Sequence, residues 1–221
     1  MSIDLGKHAE EVDELWSAFG RRENPRVPVW FAADEQFWLR HTGKTFKDFY
    51  TKPETHLNVQ LEAKSWAADH VIGDTVPGAP ARWSVATQIW MEENEFYGAE
   101  VAYQEDDYAW AKPIPLGKED LLKHIAGLDP EAQVRKNTAF KMYNALKDLS
   151  AGKTFHDRPV DIAAPGAITH GIFTKAAELR GLEQLCMDIC EDPDWVEKYL
   201  TIFHCLWELK VLNLAYISLI H

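Results

Sequence analysis

Three short apolar runs, separated by helix-length amphipathic stretches, limit what this chain can become. The runs are residues 27–31 (VPVWF), 84–91 (SVATQIWM) and 159–164 (PVDIAA). The first is continuous rather than alternating, as in a strand buried on both faces, and Pro28 suits the start of such a strand. A weaker β segment is expected near residues 100–103. Helical periodicity fills the rest. Val12, Leu15, Trp16 and Phe19 recur at i, i+3, i+4 and i+7, one apolar stripe that Gly20 is expected to stop. Pro53 opens a helix at its first position, with Leu57, Leu61, Trp66 and Ala68 inward. Leu121, Leu122, Ile125 and Leu128 mark another. Asp129-Pro130-Glu131 is a strong start signal, and Ala139, Met142, Leu146 and Leu149 form the inward face that follows it. Helices are expected from about 169 to 190. A last one begins at Asp192-Pro193, with Val196, Leu200 and Phe203 inward. Strands alternating with helices predict βαβ units and a parallel sheet. No repeat or linker divides the chain.

Charge narrows the partners. Lysine plus arginine is 23 and aspartate plus glutamate is 35, a net charge of −12. Nucleic acid is excluded as the main partner, because phosphate binding needs a basic face, and so is an anionic membrane surface. Residues 1–16 show no basic start followed by an apolar run, so no signal peptide is expected. No run of eighteen apolar residues reads as a membrane span. Cys186, Cys190 and Cys205 are an odd, clustered set rather than a disulfide framework, and a cytoplasmic location is expected. Zinc takes four such ligands, but these cysteines are expected to pack in the core. Gly152-Lys153-Thr154 lacks the earlier glycine of a phosphate loop and follows a helix, so it is not one.

In parallel α/β folds, ligands gather past the carboxyl ends of the strands. The polar residues at those places are Asp34 and Glu35, Glu92 and Glu93, and Thr169 and His170. Asp34, Glu92, Glu93 and His170 are the candidate catalytic groups, since a carboxylate beside a histidine suits general acid–base work. Their alternative role is capping and solvated loops. Trp30, Phe31, Phe37 and Trp90 are candidate walls of an apolar substrate pocket, with Thr169 beside them; the alternative is core and rim packing.

Residues 26–66, RVPVWFAADEQFWLRHTGKTFKDFYTKPETHLNVQLEAKSW, resemble the N-terminal region of the uroporphyrinogen decarboxylase superfamily. That family opens with a Pro-Val-Trp strand, a glycine-containing loop and a helix beginning Pro-Glu. Residues 161–200, DIAAPGAITHGIFTKAAELRGLEQLCMDICEDPDWVEKYL, resemble its third strand, an Ala-Pro turn, a helix and a Glu-Asp-Pro helix start. The resemblance implies a (β/α)8 TIM-type barrel, incomplete here. Such a barrel needs roughly 250 residues, and this chain corresponds to the first half to two-thirds. Residues 1–200 are expected to be the partial barrel, and 201–221 a divergent apolar tail.

The superfamily holds cofactor-free decarboxylases and zinc methyltransferases that work with corrinoid proteins. The two arginines by which the decarboxylases grip substrate carboxylates correspond to Ala33 and Phe37, neither of which can form the bidentate fork of arginine. Arg40 is the nearby candidate for substrate contact. The resemblance therefore implies the methyltransferase branch, acting on a small methylated or aromatic substrate. Zinc and a corrinoid protein partner are implied for a full-length form and no cofactor for this chain, which is expected to be inactive. The alternatives are a cofactor-free carboxy-lyase of tetrapyrrole synthesis and a truncated non-catalytic fragment. Self-association is expected from an open sheet edge and the apolar tail.

Overall fold

The computed structural model describes residues 5–31, 33–71, 73–74, 80–87, 89, 91–165 and 171–203. Local chemistry sets most helix ends. α1 spans Leu5–Arg21. In α2 (Glu35–Thr42) the Asp34 carboxylate accepts the Phe37 N–H at 3.0 Å, the role an N-cap aspartate fills. Thr45 caps α3 (Phe46–Thr51), and Pro53 occupies the first turn of α4 (Pro53–His70). β1 (Trp83–Val85) leads to the short α5 (Glu92–Phe96). β2 (Val101–Ala102) and β3 (Trp110–Ala111) form an antiparallel pair. α6 (Lys118–Ala126), α7 (Pro130–Lys136) and α8 (Thr138–Ser150) follow, with Asp129 and Asn137 capping the last two. β4 (Thr154–Phe155) and β5 (Arg158–Ile162) make a hairpin. His156 and Asp157 at its tip both have positive φ, the conformation two-residue hairpin turns require. α9 (Ile172–Arg180), α10 (Leu182–Glu191) and α11, residues 193–203, complete the described elements.

The class is mixed α/β, mostly helical. Its three-stranded sheet has the order β1-β5-β4, and β1 pairs with β5 in parallel, Trp83 opposite Val160 and Val85 opposite Ile162. The expected second and third strands are therefore neighbours, joined by the long crossover a parallel pair demands. A closed barrel is not formed by the described strands. Two apolar clusters hold the fold. One packs α2, α3, α4 and α8 on β1 through Leu39, Phe49, Leu57, Trp83 and Leu146. The other joins α5, α6 and α9 to α11 through Phe96, Leu121, Leu179, Leu185 and Tyr199. Among the described residues no helix is long and apolar enough to cross a membrane.

Three expectations are corrected. Residues 27–31 form no strand: Val27, Val29, Trp30 and Phe31 are exposed. The Val29 N–H donates to the Asp74 carboxylate at 2.6 Å and its carbonyl accepts the Asp74 N–H at 2.8 Å, so a loop takes the place of a ladder. Arg26 grips the same carboxylate with both terminal nitrogens, and that hydrogen bonding, with the Val29 N–H, holds its pKa down at about 2. The run expected at 84–91 is regular only to Val85. The Gln60 side chain takes the Ala86 N–H at 2.9 Å and donates to its carbonyl at 2.8 Å, which replaces strand pairing; residues 88 and 90 lie outside the described residues. The helices expected from about 169 to 190 are α9 and α10, parted at Gly181, whose φ of 89° few side chains tolerate.

Last, Cys186 and Cys190 are exposed rather than core. Leu185 and Asp188 face inward on α10, and this helical phase turns both cysteines outward. Cys205, like the rest of residues 204–221, lies outside the described residues. In α1, Val12, Leu15 and Ala18 are buried, while Trp16 and Phe19 are only half covered. The Trp16 indole N–H reaches the Asp74 carbonyl at 2.6 Å.

Candidate functional site

A cavity of about 440 Å³ opens beside the carboxyl end of β1. α4 supplies its floor by helical spacing. Val59, Ala63, Ala67 and Val71 recur every fourth residue, and Gln60 and Lys64 lie beside them. The alanines leave the space that larger side chains would fill. Trp30, Phe31 and Ala33 form a lip, Glu35 and Trp38 enter from α2, and Phe49 and Ala86 complete the lining. The Trp38 indole N–H donates to the Ala33 carbonyl at 2.9 Å, fixing the lip on α2. Gly73 lets the lip lie close, since a Cβ there would stand 3.3 Å from both the Phe31 ring and the Val29 carbonyl. The lining is mostly apolar with a few polar groups, the usual makeup of a small-molecule site.

A polar stripe, His56, Gln60 and Lys64, runs along α4 at i, i+4 and i+8. His56 is fully buried and stacks on Phe49 at 4.4 Å. Its Nδ1 lies 3.0 Å from the Phe49 carbonyl and its Nε2 2.8 Å from that of Ala86. Only the doubly protonated ring donates to both. Burial pushes the imidazole pKa down, and the two carbonyls oppose that shift without reversing it. Burial also pushes the Lys64 ammonium down. Lys64 donates to the Ser84 carbonyl and makes no ion pair among the described residues.

The lowered His56 pKa has a signed consequence. As pH falls below about 6.5, the ordinary histidine value, the unfolded chain takes up this proton before the folded one does. Stability is then lost as pH falls from 6.5 toward the folded-state pKa, where the loss levels off. Urea denaturation between pH 7.5 and 5 is expected to show this slope in the wild-type chain and a shallower one in His56→Gln. Parallel slopes would contradict a depressed His56.

The structure distributes the sequence-predicted residues over three places. Trp30 and Phe31 line the cavity. Asp34, Phe37 and Arg40 line a shallow depression with Gln36 and His41, where Asp34 caps α2. Glu92 and Glu93 are buried on α5 and line neither hollow. Glu93 instead stands 3.5 Å from the ammonium of Lys175 on α9, itself 2.6 Å from the Asn94 carbonyl oxygen and the Glu178 carboxylate. Glu35 and Glu92 each act on Tyr50 through their charge. Burial first, then the charge of both carboxylates, raises the pKa of that fully buried phenol. Trp90, Thr169 and His170 lie outside the described residues. Lys64, Gln60 and His56 were not among the sequence candidates; their signal is the four-residue polar recurrence on a helix whose neighbouring positions are apolar.

Among the described residues no three His, Cys, Asp or Glu side chains group as a metal set. No protein-family model, curated protein or solved structure matches this chain.

Proposed function

We propose that this chain is the substrate-binding part of a uroporphyrinogen decarboxylase-like enzyme of the methyltransferase branch, admitting a small aromatic or methylated substrate into the cavity beside β1. The observation that carries the reading is the lining of that cavity: apolar and aromatic, with Ala33 at one of the two positions where the resemblance places a substrate-gripping arginine. Trp30, Phe31 and Trp38 offer flat faces for stacking, and Glu35 offers a hydrogen-bond acceptor. A substrate bearing many carboxylates would find Lys64 as the single cationic side chain in this lining. In the methyltransferase branch, zinc activates the methyl acceptor and a corrinoid protein carries the methyl group. The described side chains do not assemble a zinc site, so the role read for them is binding and orientation. Exposed Trp110, Phe173 and Leu182 around a second apolar hollow support the expectation of self-association.

Tryptophan fluorescence titration with 2-naphthol, a flat neutral probe, tests this reading. Saturable binding is expected in the wild-type chain, weakened at least tenfold by Ala67→Trp, which fills the cavity from α4. Binding unaffected by Ala67→Trp would contradict the assignment. Conversion of uroporphyrinogen to coproporphyrinogen by the chain would favour the carboxy-lyase reading instead.

A further inference from the structure

Lys64 is the one cation in the lining of a mostly apolar cavity, and among the described residues it makes no ion pair. Its helix places it one turn after Gln60, whose amide is committed at both ends to the Ala86 backbone. Among the described residues its hydrogen bond goes to one backbone carbonyl, that of Ser84, which leaves two donors of the ammonium for a ligand. The ammonium lies at the solvent-open side of the cavity, and no described carboxylate pairs with it, so it is available to an anion. We propose that Lys64 is the counter-ion for an anionic group on the ligand of this cavity, which makes the ligand a small, flat aromatic monocarboxylate. This deepens the reading of the cavity as the substrate site and rests on it.

Three features set the class. One available cation matches one anionic group. Glu35, the other ionisable group of the lining, repels a second. Trp30, Phe31, Trp38 and Phe49 provide aromatic walls for a flat body, in a volume that holds one or two fused rings. The carboxylate recognised is that of a free small molecule, since a cavity of about 440 Å³ is of small-ligand size.

Titration calorimetry on the full chain compares 2-naphthoate with 2-naphthamide, its neutral isostere. The wild-type chain is expected to bind the naphthoate at least tenfold more tightly. Lys64→Gln should abolish that preference, and Lys64→Arg should retain a preference for the anion. Equal binding of both probes by the wild-type chain would overturn the counter-ion role and leave the cavity as a neutral site. A preference for the naphthoate that survives Lys64→Gln would overturn it as well. Binding of neither probe would overturn the role together with the reading of the cavity beneath it.

Discussion

Replacing Lys175 with methionine is expected to destabilise the fold by about 3–5 kcal/mol, the usual cost of removing one partner from a buried ion pair. The Lys175 side chain is 2% exposed and that of Glu93 4%. The ammonium ties α5 to α9 through Asn94, Glu178 and Glu93. Methionine keeps the bulk of the chain but withdraws the charge, leaving Glu93 buried without that cation. Against a total stability of about 5–15 kcal/mol, this is a loss of about a fifth or more. Lys112→Met is the control: its partner Glu100 and the lysine itself are both exposed, and pairs of that kind contribute about 0–1 kcal/mol. Urea denaturation of both variants decides the matter. A Lys175→Met loss below about 1 kcal/mol would show that this cluster does not hold the two helices together.

Two tryptophans should separate folding from binding. Trp83 on β1 is 1% exposed, donates its indole N–H to the Phe155 carbonyl at 2.8 Å, and meets the Phe155 ring edge-on. Trp83→Ala is expected to cost about 3–5 kcal/mol, through lost apolar burial and the space left behind. Trp30 is 69% exposed at the cavity lip. Trp30→Ala should shift stability by no more than about 0.5 kcal/mol, as exposed positions generally do, while weakening 2-naphthol binding severalfold. Thermal melts and the fluorescence titration together read both. A large stability loss in Trp30→Ala would mean that the 27–31 segment is part of the core, as its continuous apolar pattern suggests.

That segment shows where sequence reasoning stops. Helix starts governed by residues within one turn, Pro53 and Asp129-Pro130 among them, are legible because the whole cause is local. The parallel pairing of the second and third apolar runs is legible too, since a crossover of that length allows it. Residues 27–31 read as a buried strand because their composition is right. What decides their state is Asp74, 45 residues beyond Val29, whose carboxylate and N–H occupy the Val29 backbone. Gln60 ends β1 in the same way, from 26 residues before Ala86. The outward turn of Cys186 and Cys190 follows from Asp188, buried because Arg180, Gln184 and Lys118 converge on it. A polar residue that fixes the inward face of a helix is invisible to a pattern of apolar positions. Of the site, the aromatic lip at Trp30 and Phe31 was legible. The α4 stripe was not singled out, because a histidine, glutamine and lysine on a helix read as a solvated face.

The most direct test of the cavity as the ligand site is NMR of the tryptophan indole N–H groups, assigned by single Trp→Phe variants, during titration with 2-naphthol. Trp30 and Trp38 line the cavity, whereas Trp110 borders the other apolar hollow and Trp195 sits in the second core. The expected result is saturable shifts at Trp30 and Trp38 with Trp110 and Trp195 unmoved. Shifts confined to Trp110, with Trp30 and Trp38 unchanged, would place the ligand elsewhere and contradict the assignment.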